Sequence, residues 1–416
     1  MNEQRRNALL AAAIVTVAAV MRLYGVAGQP LLDDEVGAVA AALHYVEGGQ
    51  FGPIMWYHPN LRNLLLWWVT ETFGQGPVAL RSVSLLLGIL SIPVTGLLLH
   101  ALTRDRAAAF IASFLLAIDQ VHVTLSRQAI QETWTTFFML LGTLLAVAAW
   151  RRGSPWPLVA AGLAFGLGIS SKFHALFPLA ACAAAGLVLA WRERAPTKGA
   201  WVAACLGALP ALVFLVTYLP WFTRGYGFTD WIDMQRALLV KMTSHVGNPS
   251  DQLVDRAAWQ WFLRPMGYAT FAFTAGAPAV TVAFSNPAAW LAVLPSAAFV
   301  ARRPAAAAPG DTGGARFVLL LFIASYLPLA VSPRPIWLLS SLAVLPFALM
   351  LVALAAAHVL RAGPRARIAL SAFGALIVAI ALALYPLSIS RGGSYPHLQQ
   401  ILQRFRPPFE RPGVTP

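Results

Sequence analysis

Residues 7–36 read NALLAAAIVTVAAVMRLYGVAGQPLLDDEV. An apolar run long enough to cross a ~30 Å hydrocarbon core is followed closely by three consecutive acids, Asp33, Asp34 and Glu35. A carboxylate at the edge of a bilayer is costly to desolvate, so three together ask for a reason. The plainest reason is an acidic helix start in a wet loop. Val36 to Val46 is compatible with a helix, Gly48 and Gly49 stop it, and Asp33 or Asp34 is then its N-cap. The other reason is a reactive site at the membrane surface, and the remainder of the chain favours that one.

The apolar run recurs throughout. Of 416 residues, 58% are hydrophobic and only 11% charged, which predicts an all-α polytopic membrane protein. Spans are expected near 7–27, 80–102, 107–120, 128–150, 155–171, 173–191, 199–220, 279–300, 316–332, 336–358 and 367–387. That makes about eleven transmembrane helices. The start of the chain resembles a signal peptide, but its apolar run continues to Val20 and is followed by Arg22, so it reads as an uncleaved first span. Cys182 and Cys205 both fall inside spans, which suits burial rather than a disulfide or a zinc site. No segment outside the spans is long enough for a separate soluble domain. Residues 303–315 read as a flexible link.

The net charge of +14 reports topology rather than a nucleic-acid partner. Basic residues gather in alternate connections, at Arg5 and Arg6, Arg104 and Arg106, Arg151 and Arg152, Arg192 to Lys198, Arg302 and Arg303, and Arg361 to Arg367. This is the positive-inside pattern, with the N-terminus cytoplasmic, the C-terminus outside and anionic lipid as the natural contact. Two long loops then lie outside, at about 28–75 and 221–277, and both carry Trp and Tyr suited to amphipathic helices at the headgroup level. Two regions follow: a transmembrane catalytic domain over 1–358 that includes these loops, and a last helix with an extracytoplasmic tail over 359–416. Arg391, Arg404, Arg406 and Arg411 make that tail an exception to the charge pattern.

On this topology Asp33, Asp34, Glu35, His58, Arg81, Arg127, Glu132, Lys172, His174, Arg264 and Arg334 all reach the outer face. Single cations there often serve only as snorkelling anchors. Glu132 is different: it falls about a turn inside its span and should face the protein interior or a wet cavity. Acids and cations sharing an outer cavity suit a lipid phosphate held by Arg or Lys, with a carboxylate to deprotonate an acceptor hydroxyl. A divalent metal on Asp33, Asp34, Glu35 and His58 is a second way to balance charge, although no dense ligand spacing supports it. There is no GxxxxGK[ST] loop and no Rossmann-like unit, so a lipid-linked donor is preferred to a nucleotide sugar. The competing class is a transporter or lipid flippase, which would favour internal repeats and mid-membrane charges over this one-sided cluster.

Several strings then carry a resemblance. Asp34-Glu35 after the first span, His58-Pro59-Asn60-Leu61, and Ser126-Arg127 through Glu132 with Phe137-Phe138 are three of them. Gly162 to Phe177, containing Ser170-Ser171-Lys172, is a fourth. Tyr218-Leu219-Pro220-Trp221, Leu263-Arg264-Pro265, Asn286-Pro287 and Arg334 through Leu345-Pro346-Phe347 follow in order. Over about residues 10–355 the chain resembles the GT-C type membrane glycosyltransferases, most closely the polyprenyl-phosphate-mannose protein O-mannosyltransferases, and is akin to aminoarabinose-type lipid glycosyltransferases.

The resemblance implies an inverting transfer from a polyprenyl-phosphate sugar to a hydroxyl of a protein, lipid or glycan. It implies Asp34 as general base; Glu35 is then expected to orient it or hold the acceptor, and Arg81, Arg127 and Lys172 are candidates to stabilise the departing phosphate. Asp33, His58, Glu132, Arg264 and Arg334 fall in matching stretches as substrate-binding candidates. Asn60 stands where the family has Pro, and Glu132 where it has Asp. The compact loops point to a bacterial inner-membrane enzyme working on the extracytoplasmic face.

Overall fold

The computed structural model describes residues 2–47, 58–223, 225–243, 258–274, 277–308, 311–332 and 336–389. Within these, seven helices are long and apolar enough to cross a membrane: Glu3–Gly28, Pro77–Thr103, Gln131–Arg152, Phe173–Arg192, Pro196–Val216, Thr312–Ala330 and Pro364–Ser388. Shorter apolar helices cover Trp156–Ser171, Pro287–Arg302 and Leu345–Arg361. The chain is an integral membrane protein.

The expected span at 107–120 is instead a pair of helices, Arg106–Ile118 and Gln120–Ser126, bent by 58°. Asp119 makes the break. Its backbone is extended (φ −66°, ψ 123°) and its carboxylate accepts from the His122 amide, so it caps a new helix rather than continuing the old one. The other carboxylate oxygen accepts from Trp290 Nε1 at 2.8 Å, which satisfies a buried acid inside the bundle.

The helical membrane architecture is as expected, with one β-hairpin in it, and the span at 279–300 needs correction. Gly267–Thr274 and Ala277–Phe284 form an antiparallel β-hairpin, with Tyr268 opposite Ala283 and Thr270 opposite Thr281. The helix that follows begins only at Pro287, capped by the Asn286 side chain. An apolar run such as APAVTVAF satisfies a hydropathy window, but its Val-Thr-Val alternation is that of a strand. The two long loops do hold helices, at Asp33–Glu47, Leu61–Phe73 and Phe228–Thr243.

The region 303–315 is docked rather than loose among its described residues. Pro304–Ala307 is a helical turn, Ala307 and Ala308 are buried, and Asp311 caps the Thr312–Ala330 helix while pairing with Arg151. Gly314 explains the tight fit, because a Cβ there would lie 1.8 Å from the Leu102 carbonyl.

The Leu345–Arg361 helix is the central pillar. Every residue from Leu345 to Leu354 is buried, which is why it reads as apolar on all faces. At the periphery, the Pro364–Ser388 helix buries only Ile377, Ala381 and Ser388. Cys182 and Cys205 are buried free thiols within their helices.

Arg81 stands near the N-terminal end of the Pro77–Thr103 helix, and Arg104 caps its C-terminal end. A rise of about 1.5 Å per residue therefore separates the acid-bearing end of the bundle from the basic clusters by roughly 35 Å.

Candidate active site

The first helical hydrogen bond after the first span runs from the Val36 amide to the Leu32 carbonyl, so Leu32 occupies the cap position and Asp33 opens the helix. The expected N-cap role of Asp33 or Asp34 passes to Glu35, which reaches back to accept from the Leu32 amide at 2.9 Å. This is the carboxylate half of a capping box.

Glu35 is fully buried, and both of its oxygens are doubly engaged. Oε1 accepts from Arg81 Nε at 2.7 Å and from the Ala129 amide at 2.8 Å. Oε2 accepts from Arg81 Nη2 at 2.6 Å in addition to the Leu32 amide. Arg81 is equally committed, since Nη1 donates to the Val26 and Gln29 carbonyls and Nη2 to that of Pro30. The pair therefore ties the 26–35 loop, the Pro77–Thr103 helix and the turn at Ala129 into one unit.

Arg127 does the same work a few residues away. Its Nη1 donates to the Met21, Arg22 and Tyr24 carbonyls, Nε to that of Ser388, and Nη2 to Gln29 Oε1. Burial lowers its pKa from the ordinary arginine value, Tyr385 opposes that shift, and Arg81 adds to it. Both arginines have no exposed surface. All five N–H groups of Arg81 and both oxygens of Glu35 are engaged inside the protein, and Arg127 bonds four carbonyls and Gln29, uses that their expected roles at a departing phosphate and beside the base did not include.

Asp34 follows a different course. One position earlier on the helix it points roughly 100° away from Glu35 and is only half-buried. Its Oδ2 accepts from the Tyr268 hydroxyl at 2.9 Å. The Tyr268 ring in turn meets Trp337 edge-on, with centroids 5.7 Å apart.

Trp337 lines a cavity of about 540 Å³, whose polar lining residues include His58, Lys172, His174 and Ser340 and whose apolar ones include Phe173, Phe177 and Leu239. Lys172 leaves the end of the Trp156–Ser171 helix in extended backbone, and its Nζ bonds Glu132 Oε1 at 2.7 Å and Ser340 Oγ at 3.3 Å. Glu132 thus faces inward, as its depth in the span demanded. His58 and Pro59 line the same cavity, while Asn60 next to them donates to the Thr217 carbonyl at 2.9 Å. That bond gives the Asn of the His-Pro-Asn-Leu string a staple no proline could make.

Of the sequence candidates, the structure gathers His58, Lys172 and His174 at one cavity, with Glu132 bonded to Lys172 and Asp34 reached through Tyr268 and Trp337. Arg264 lies half-buried before the hairpin and is not among the lining residues. Arg334 and the side chain of Asp33 lie outside the described residues. Tyr268, Trp337 and Ser340 escaped the sequence reading because an uncharged residue in an apolar stretch carries no signal of its own.

The metal alternative finds a poor donor set. Among the described residues no group of three or more His, Cys, Asp and Glu side chains comes together, and the Glu35 oxygens are already filled.

A family model described as dolichyl-phosphate-mannose-protein mannosyltransferase matches residues 62–233. A polyprenol-phosphate-mannose–protein mannosyltransferase of Mycobacterium tuberculosis is 25% identical over 236 residues, covering 47% of this chain and 45% of the relative. Dolichyl-phosphate-mannose–protein mannosyltransferase 5 of Saccharomyces cerevisiae is 27% identical over 254 residues, 51% of this chain and 33% of the relative. The match thus spans less than half the length of either curated relative. Among solved structures, the S. cerevisiae protein O-mannosyltransferase Pmt1–Pmt2 complex, bound to the sugar donor, superposes with a TM-score of 0.73 at 12% identity, covering 92% of this chain and 89% of that one.

The chain has the GT-C fold.

A second GT-C neighbour, ArnT of Cupriavidus metallidurans bound to undecaprenyl phosphate, has a TM-score of 0.55 at 18% identity and covers 92% of this chain and 64% of that one. The resemblance to the polyprenyl-phosphate-mannose protein mannosyltransferases, carried in sequence by the ordered motifs, holds. The buried Arg81–Glu35 pair fixes the start of the helix on which Asp34, one position before Glu35, meets Tyr268.

Proposed function

We propose that this chain transfers a sugar, mannose or a related one, from polyprenyl phosphate to an acceptor hydroxyl on the outer face of a bacterial inner membrane. The observation that carries the reading is a cavity of mixed polar and apolar lining, linked to Asp34 through Trp337 and Tyr268. It offers a lysine and two histidines among apolar side chains, and this is the chemistry of a phosphate joined to an isoprenoid. The mannosyltransferase match over 62–233 and the GT-C fold support it.

In this reading the acceptor oxygen attacks the anomeric carbon from the face opposite the phosphate. The C–O bond to phosphate breaks, the acceptor proton passes to the Asp34 carboxylate, and polyprenyl phosphate departs with the bonding electrons. Configuration at the anomeric carbon inverts. Lys172, held by Glu132 and Ser340, supplies positive charge where the leaving phosphate gains negative charge. His58 and His174 are placed to bind sugar or phosphate oxygens. Removing the Lys172 charge lowers turnover on the order of 10²-fold, by analogy with other preorganised charge-stabilising donors.

The test is consumption of labelled polyprenyl-phosphate mannose by purified protein in lipid nanodiscs, with extracted membrane proteins, lipids and glycans offered separately as acceptors. Label moving into one acceptor class supports the reading and names that class. No consumption of the mannose donor, nor of a panel of other polyprenyl-linked sugars, would contradict it and bring the transporter reading forward.

A further inference from the structure

We infer that Tyr268 is a positioning residue for the Asp34 carboxylate, and that the β-hairpin exists in this chain to hold its hydroxyl there. The inference rests on the proposed role of Asp34 as base. Its starting point is the 2.9 Å bond from Tyr268 Oη to Asp34 Oδ2, made across 234 positions of sequence.

A single hydroxyl contact can be incidental, but the strand carrying this one is pinned on every side. Thr270, two residues on and therefore on the same face of the strand, accepts from Gln128 Nε2 at 3.2 Å. Gln128 adjoins Arg127, whose Nη2 holds Gln29, and Gln29 Nε2 donates to Thr281 Oγ1 on the partner strand at 3.1 Å. At the hairpin base, Ser285 closes both ways on Met266, with the Ser285 amide donating to the Met266 carbonyl and the Met266 amide to Ser285 Oγ. Thr270, Thr281, Val282 and Ala283 are buried. Finally, Trp337 sits edge-on against the phenol ring and limits its swing.

A donor fixed in this way does two things to a carboxylate. It favours one rotamer of the side chain, the one that keeps Oδ2 on the Tyr268 hydroxyl. It also stabilises the ionised form, which is the form able to take a proton. A tyrosine does this without adding a charge that would compete for the sugar phosphate.

Among the described side chains, the other charged groups on the surrounding elements are engaged or exposed. The Asp33–Glu47 helix packs on the Leu61–Phe73 helix and on the first strand, which touches the Leu338–Ala343 turn. Glu35 is turned into Arg81, Arg62 donates to Gln131, Glu71 is exposed, and Lys172 beyond Ser340 is paired with Glu132.

The experiment compares wild type, Tyr268→Phe and Asp34→Asn in nanodiscs, measuring donor binding and the pH profile of sugar transfer at saturating donor. The expected result for Tyr268→Phe is unchanged donor affinity, turnover lowered about tenfold or more, and a low-pH limb moved upward by about one unit, as the loss of a hydrogen bond to a charged group predicts. A limb that superimposes on wild type while Asp34→Asn is inactive would overturn the assignment of Tyr268 alone. Asp34→Asn turning over like wild type would overturn the base, and this inference with it. Weaker donor binding with an unmoved profile would make Tyr268 a wall of the cavity, which also contradicts the proposal.

Discussion

Asp34 and Glu35 are adjacent in sequence and chemically alike, yet one helical step sends them to opposite surroundings. Glu35 enters a dry site filled by Arg81 and two backbone amides, whereas Asp34 stays half-buried beside Tyr268. Removing one partner of a buried ion pair leaves the other uncompensated, at a cost of about 3–5 kcal/mol. Arg81→Met should therefore lower thermal stability sharply in detergent and reduce the amount of folded protein. Asp34→Asn, which removes no buried pair, should melt close to wild type while losing turnover. The sequence marked both acids as exceptional. It could not separate them, because the distinction depends on Arg81, which the fold brings in from 46 positions away. Lys172 and Glu132 were legible as cations and acids in costly places, but their pairing was not.

The elements of the bundle were legible where hydrophobicity is continuous, and less so where the backbone changes character inside an apolar run. The bend at Asp119 and the hairpin at 267–284 are both of this kind. So is the turn of π-helix at Ala204–Ala208, within the helical region facing Trp156–Ser171. There the Cys205 carbonyl comes so near Gly162 that an added Cβ would lie 2.1 Å from it, and Gly166 is similarly closed by Val213. Small residues four apart let two membrane helices approach this closely. Gly162→Leu should force the helices apart and destabilise by about 1–3 kcal/mol as overpacking does. Gly207→Ala, at a position with open space around it, should leave the melt unchanged. Both are read by thermal unfolding followed with intrinsic tryptophan fluorescence. The Gly-x-x-x-Gly string was visible in sequence, whereas its partner backbone was not.

At the scale of the molecule, polar pins rather than apolar burial join the last helix to the rest. The Pro364–Ser388 helix receives Asn286 Nδ2 at the Ile377 carbonyl, Gln120 Nε2 at that of Ala381 and Arg127 Nε at that of Ser388. Its own Tyr385 hydroxyl donates to the Met21 carbonyl. In a bilayer, lipid replaces lost apolar contacts readily but cannot replace hydrogen-bond acceptors. A chain ending at Gly363 should therefore lose the acceptor that helps hold Arg127 and fail to run as a single species in size-exclusion chromatography. A monodisperse product of that truncation would mean the pins are dispensable. The sequence predicted the last span from hydropathy, yet its role as a brace for the first loop becomes visible only when carbonyl positions are known.

These scales meet in one claim: a braced bundle holds Asp34 as the base of a lipid-linked sugar transfer. Single-turnover release of polyprenyl phosphate from its mannose conjugate, by wild type beside Asp34→Asn in lipid with acceptor supplied, tests it most directly. The account predicts release by wild type and a loss on the order of 10²-fold or more in the variant, with both proteins binding donor alike. Equal release by the two proteins would contradict it.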